Sequence, residues 1–178
     1  MTVPRIGVTA GDPGGVGPEV AVRALARAEA LPPAAFILFA DPRAVEAEER
    51  RLGVRLEAPA WRPGSPAEAG VRLAAVPVAG EVPESGRLSA AGGEASFRAF
   101  EAAVAEARAG RLEAVVTAPV SKAAWALAGH AFNGHTDYLG RLYPGAVMAF
   151  WSERLKVALL THHRSLLEAV AAVRREGI

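Results

Sequence analysis

Four short segments of this chain gather residue types that can handle an anion, a proton or a metal ion. The first, Thr9-Ala10-Gly11-Asp12-Pro13-Gly14-Gly15-Val16-Gly17-Pro18-Glu19, is a glycine-rich turn placed where a strand would end and a helix begin. Such a turn directs backbone N–H groups outward and can hold an anion or the edge of a cofactor. It lacks the Gly-Lys-Ser/Thr ending of a P-loop, and glycines at 11, 14, 15 and 17 do not follow the Gly-x-Gly-x-x-Gly spacing of a dinucleotide fold. The competing explanation is a tight turn needing glycine for backbone reasons alone. The second, Val115-Val116-Thr117-Ala118-Pro119-Val120-Ser121-Lys122, runs an apolar strand into a polar turn. Thr117, Ser121 and Lys122 would stand beyond a strand's carboxyl end, where open α/β sheets bind ligands, and Lys122 suits a phosphate or carboxylate. A lysine in a helix's first turn opposes the helix dipole, so a purely solvated role is the weaker explanation.

The third segment, Phe132-Asn133-Gly134-His135-Thr136-Asp137-Tyr138-Leu139, sets an imidazole beside a hydroxyl ahead of a helix-like stretch. That pair can bind a hydroxy acid or phosphate ester, and histidine can move a proton near neutral pH. The competing explanation makes Thr136 a helix N-cap and His135 its exposed neighbour. The fourth, Val157-Ala158-Leu159-Leu160-Thr161-His162-His163, reads as a strand ending in two histidines. Strand alternation would turn them to opposite faces, so one alone could ligate a given metal ion. A working zinc site needs about three protein ligands, and this segment offers a single one.

The elements that must position these residues are legible in the apolar pattern. Arg5 to Ala10, Ala35 to Ala40, Arg72 to Val78, Glu113 to Ala118 and Lys156 to Thr161 read as buried strands. Pro18 to Ala30 and Glu94 to Ala109 read as helices, the second stopping at Gly110. Shorter helices are expected at Arg43 to Leu52, Lys122 to Leu127 and Ser165 to Arg175. Strands separated by helices of this length imply right-handed crossovers and an α/β fold, a mostly parallel sheet with helices on both faces. Ala58 to Gly70 and Ala79 to Ala91, rich in Pro and Gly, are expected as loops or edge hairpins.

Composition narrows the function classes. At 178 residues, 51% of them hydrophobic, the chain can bury one sizeable core. Twenty basic and 19 acidic residues leave a net charge of +1, too little to draw in nucleic acid, so no such partner is expected. With no cysteine, thiol catalysis and Cys-based zinc sites are excluded, and a metal would have to be held by His or carboxylates. No apolar run is long enough for a bilayer and no leader pattern opens the chain, so a cytoplasmic protein without membrane contact is expected.

Taken in order and spacing, Gly11-Asp12-Pro13 through Gly17-Pro18-Glu19, Gly86-Arg87-Leu88-Ser89, Thr117 through Lys122, and Phe132 through Leu139 resemble the signature of the 4-hydroxythreonine-4-phosphate dehydrogenase family. The resemblance runs along essentially the whole chain. It implies a two-lobed α/β fold similar to isocitrate and isopropylmalate dehydrogenases, with residues 1–178 as an N-terminal portion lacking the C-terminal part, and a lobe boundary near 120–140. It implies oxidation of 4-phosphohydroxy-L-threonine by NAD, assisted by a divalent metal (zinc, magnesium or cobalt), in a homodimer on the route to pyridoxal phosphate. By position, His135 and Thr136 match substrate contacts and His163 matches a metal ligand, and Lys122, by its type and place, is expected as a further substrate-binding residue. Asn133, Asp137, His162 and Ser165 depart from the residues usual in the family (Pro, Glu, Thr and Pro), and His162 leaves the choice of ligand open. With the remaining metal histidines and most NAD contacts expected in the absent part, the chain itself is expected to be catalytically incomplete. Rival readings are a dehydrogenase of a related four-carbon sugar-acid phosphate, a noncatalytic ligand-binding remnant, and, more distantly, a phosphate acyltransferase.

Overall fold

The computed structural model describes residues 3–65, 68–83 and 85–175. The chain divides into two compact units, Met1–Gly134 and His135–Ile178. In the first, β1 (Arg5–Thr9), β2 (Ala35–Ala40), β3 (Gly70–Ala75) and β4 (Ala114–Thr117) form one sheet in the order β3-β2-β1-β4, every pair parallel. Helices α1 (Gly17–Leu25), α2 (Pro42–Leu52), α3 (Ala90–Arg108) and α4 (Lys122–Leu127) lie between and after the strands.

The sheet is covered on both faces because its central strand is apolar on both. Along β2, Leu38 and Ala40 join Val22 and Leu25 of α1 and Val45 of α2 in one core, whereas Ala35, Ile37 and Phe39 join Ala99 and Ala103 of α3 and Trp61 in the other. This is the two-residue period of a strand in a doubly covered parallel sheet. The helix ends follow local chemistry. Asp41 accepts the Arg43 N–H at 2.9 Å ahead of Pro42, Ser89 accepts the Gly92 N–H at 3.1 Å, and Ser121 accepts the Ala124 N–H at 3.2 Å.

Several expectations change. β1 ends at Thr9, and β3 runs Gly70–Ala75 rather than 72 to 78. The first helix closes at Leu25, with a separate 3-10 turn at Ala28–Ala30. α3 starts at Ala90 because Ser89 caps it, so the loop before it is shorter than its Pro and Gly content suggests. β4 is not buried: it forms the sheet edge, and Val116 is 55% exposed. Within 58–70, Ala60 bridges Leu73 in parallel, and Trp61 packs edge-on against Phe39.

α3 and α4 pack at backbone distance. A Cβ on Gly93 would strike the Ala124 carbonyl, and Trp125, fully buried, donates from Nε1 to Ser96 Oγ at 2.9 Å, which in turn donates to the Gly93 carbonyl at 3.0 Å. Gly93→Ala is therefore expected to cost about 1–3 kcal/mol through overpacking, read from the midpoint of urea unfolding.

The second unit holds α5 (His135–Leu142), an antiparallel pair of β5 (Ala149–Trp151) and β6 (Lys156–Ala158), and α6 (Leu166–Ala172). The sequence pattern had no signal for β5, which is three residues long. β6 stops at Ala158 instead of Thr161, and its residues are exposed rather than buried. α6 opens with a capping box in which Ser165 and Glu168 bond reciprocally.

Candidate functional site

The parallel pairing of β1 with β4 sets Thr9 opposite Thr117, so the first two motifs leave the sheet side by side. Ala118 N–H donates to the Thr9 carbonyl at 3.1 Å, and Asp12 N–H donates to the Pro119 carbonyl at 3.0 Å. Gly11 is required there: its φ is +73° and a Cβ would collide with Pro119. Gly86 N–H donates to the Gly14 carbonyl at 2.8 Å, which brings the Gly86 to Ser89 segment over the same turn.

This geometry favours the backbone explanation of the glycine-rich turn over an open anion cradle. Gly11, Asp12, Pro13 and Gly14 are buried, and the space beside them, bounded by Ala40, Asp41 and Ala95, holds only about 10 Å³. A single water needs about that much. Asp12 Oδ1 accepts the Gly14 N–H at 2.8 Å, and the carboxylate lies against Gly92 in the first turn of α3. Burial pushes the Asp12 carboxyl above its ordinary pKa, offset in part by the Gly14 bond. A raised folded value means that stability falls as pH climbs from the ordinary carboxylate range through that value. Asp12→Asn keeps an acceptor and removes the charge, so its stability relative to the parent chain should rise across that window and level off above it, as urea unfolding at a series of pH values would show.

Ser121 is committed to capping α4, which leaves Lys122 and Thr117 as the polar side chains exposed at this edge of the second motif. Lys122 opens α4, and its stem runs against Gly134, whose Cβ, were there one, would sit 3.3 Å from Lys122 Cε. The glycine-rich turn, the Gly86 to Ser89 segment, the Thr117 to Lys122 turn and Gly134 thus meet around one end of the sheet. Two residues that sequence reasoning passed over stand beside them: Glu94 of α3 and His130, joined at 2.6 Å. They are 36 positions apart, and no periodicity links them.

In the second unit, α5 begins at His135, so Thr136 sits inside the first turn and is not the N-cap. Burial alone lowers the His135 pKa. Its neutral ring can accept or donate one hydrogen bond on each nitrogen. Asp137 pairs with Arg141 one turn on, at 2.8 Å. Thr136, Leu139, Val147, Met148 and His162 line an open pocket of about 290 Å³. Because β6 ends early, His162 and His163 are not alternating strand residues. Their rings meet edge to face at 5.4 Å, and His163 has a φ of +52°. Among the described residues no group of three or more His, Asp or Glu could hold a metal ion, so these side chains do not by themselves fit one. No helix among them is long and apolar enough to cross a membrane.

A profile of the pyridoxal phosphate biosynthetic protein PdxA family matches residues 33–178. The chain belongs to this family. Among its PdxA relatives, a D-threonate 4-phosphate dehydrogenase from Cupriavidus necator is 35% identical over 178 residues, 96% of this chain and 53% of that protein. A 4-hydroxythreonine-4-phosphate dehydrogenase from Acidithiobacillus ferrooxidans is 35% identical over 184 residues, 100% of this chain and 54% of that one. The crystal structure of a 4-hydroxythreonine-4-phosphate dehydrogenase from Klebsiella pneumoniae superposes with a TM-score of 0.83 at 30% identity, covering 98% of this chain and 55% of that chain. The chain therefore spans about half the length of the curated relatives it matches, and it shares its α/β fold with a parallel central sheet with the solved structure.

With His135 shifted by burial, its ring should titrate with a midpoint below about 6.5, the ordinary imidazole value, in imidazole NMR spectra. A folded value below the unfolded one also means that this group costs stability as pH falls through the ordinary imidazole range.

Proposed function

We propose that this chain carries part of an NAD-dependent, divalent-metal-assisted dehydrogenase acting on 4-phosphohydroxy-L-threonine in pyridoxal 5'-phosphate biosynthesis. The secondary alcohol at C3 gives its hydride to NAD and its proton to a base or solvent. The product, 2-amino-3-oxo-4-phosphooxybutanoate, is a 3-oxo acid that loses carbon dioxide to leave 3-amino-2-oxopropyl phosphate. The observation that carries this reading is the family match over residues 33–178, which contains the Thr117 to Lys122 and Phe132 to Leu139 motifs together.

Within it, Lys122 binds an anionic substrate group through its exposed ammonium, His135 contacts substrate oxygen as a neutral imidazole, and Thr136 contributes a hydroxyl. His163 is the single imidazole assigned toward the metal, which would be zinc, magnesium or cobalt. When bound, that ion would supply Lewis acidity, and the nicotinamide would supply the hydride acceptor. A cytoplasmic homodimer is the proposed setting.

A second reading has a specific support, the name of the Cupriavidus necator relative. D-Threonate 4-phosphate differs from the first substrate at C2, carrying a hydroxyl where 4-phosphohydroxythreonine carries an amino group. Both present the same phosphate, carboxylate and C3 hydroxyl to Lys122, His135 and Thr136.

Titration calorimetry of the chain with each compound tests the assignment. The chain should bind a phosphorylated four-carbon acid, and Lys122→Ala should weaken that binding about tenfold, the scale of a lost charge-assisted hydrogen bond. Preference for the compound with the C2 amino group supports the first reading, and preference for the C2 hydroxyl the second. With a single imidazole toward a metal, the chain alone should produce no NADH from either compound even when divalent metal is supplied. Rapid turnover, or binding indifferent to Lys122→Ala and His135→Ala, would show the site to be misassigned.

A further inference from the structure

Glu94 and His130 form a paired contact outside the residues assigned above. His130 Nε2 lies 2.6 Å from Glu94 Oε2, with the histidine side chain 19% exposed and the carboxylate 34% exposed. The other oxygen, Glu94 Oε1, accepts from Arg98 Nε at 2.8 Å, one turn along α3. Arg98 and His130 hold the Glu94 carboxyl below its ordinary pKa, so it is ionised and available as an acceptor. The imidazole also stacks on Phe97, with ring centroids 3.6 Å apart and planes 14° apart, and Phe132 stacks on the same ring at 5.8 Å. The His130 backbone N–H donates to the Trp125 carbonyl at 2.9 Å, tying the segment to the end of α4. One face of α3 therefore grips residues 130–132 by a hydrogen bond and two ring stacks. Two residues further on, Gly134 lies beside the stem of Lys122, whose Cε would stand 3.3 Å from a Cβ at that position.

We propose that Glu94 and His130 are positioning residues that latch the 129–134 segment to α3 and thereby hold Gly134 against Lys122, fixing where the lysine ammonium is presented to an anion. Neither residue touches the ligand. Their effect passes through the stacked segment to the Lys122 stem, and restricting a long flexible side chain before binding lowers the entropy it loses on binding. The anion-binding role of Lys122 rests on the function proposed above, whereas the latch itself rests on the contacts of Glu94, Phe97 and His130.

The sequence provides a direct probe, since Lys122 and Lys156 are its only lysines. Lys156 lies 4.4 Å from the centre of the Trp151 ring, so its signal is displaced by the ring current and marks the second unit as folded. In spectra of the full chain labelled with 13C-lysine, and assigned with Lys156→Arg, the Cε signal of Lys122 should move in Glu94→Ala and in His130→Phe, which keeps the stack and loses the hydrogen bond. Glu94→Gln retains a carbonyl acceptor for the imidazole N–H and should restore the parent position. Inorganic phosphate, titrated into each protein, should bind about fivefold more weakly to Glu94→Ala and His130→Phe than to the parent, as expected for the ordering cost of one long side chain, and near parent strength to Glu94→Gln. A Lys122 signal unmoved in folded His130→Phe, or Glu94→Gln behaving as Glu94→Ala, overturns the latch. If phosphate leaves the parent Lys122 signal untouched while Glu94→Ala moves it, the latch stands and the anion role of Lys122 falls.

Discussion

The backbone junction beyond the carboxyl ends of β1 and β4 is the contact on which the arrangement of motifs depends. Asp12 N–H meets the Pro119 carbonyl, Ala118 N–H meets the Thr9 carbonyl, and Gly86 N–H reaches the Gly14 carbonyl. These are backbone groups that would carry a desolvation penalty if left unpaired in a buried turn. Satisfying them mutually forces three sequence-distant segments into one packed corner. The glycines are what allow the approach, because Gly11 and Gly14 face carbonyl oxygens where a methyl group would stand. Among the described residues the space beside this corner holds only about 10 Å³, and Thr117 and Lys122 are exposed on the turn beyond it.

α3 connects this corner to the rest of the first unit. Its inner face supplies Ala99 and Ala103 to one of the two cores, its first turn receives the Asp12 carboxylate, and Gly93 and Ser96 take α4 at backbone distance through Trp125. The same helix offers Glu94 and Phe97 to His130. A helix that does all of this cannot shift without moving Lys122 and the 130–134 segment, since close-packed interiors transmit strain. Rigid support of this kind is what a binding side chain needs.

The second unit has a different character. Its hairpin residues Phe150 and Trp151 are 62% and 76% exposed, and Leu166 and Leu167 of α6 are each 81% exposed. So short a segment cannot close a core of its own. Its polar features are local: an α5 that starts on His135, a pocket shared by Thr136 and His162, and two adjacent imidazoles set edge to face.

The sequence by itself determined the α/β class and the four strands of the sheet, because Ala35 to Ala40 and its neighbours are apolar on both faces and α2 and α3 carry Asp41 and Ser89 as caps. Residue type and order alone also tie Thr117 to Lys122 and Phe132 to Leu139 to one family. Only the tertiary structure decided that the glycine-rich turn is filled by the protein's own backbone, that Ser121 is spent on a cap, and that β4 is an edge. It likewise decided that His162 lines the Thr136 pocket, because the strand that would have separated the two histidines ends at Ala158. The Glu94–His130 pair was invisible to pattern for the same physical reason. A contact across 36 positions is set by how α3 and α4 pack, and no local propensity or periodicity encodes that packing.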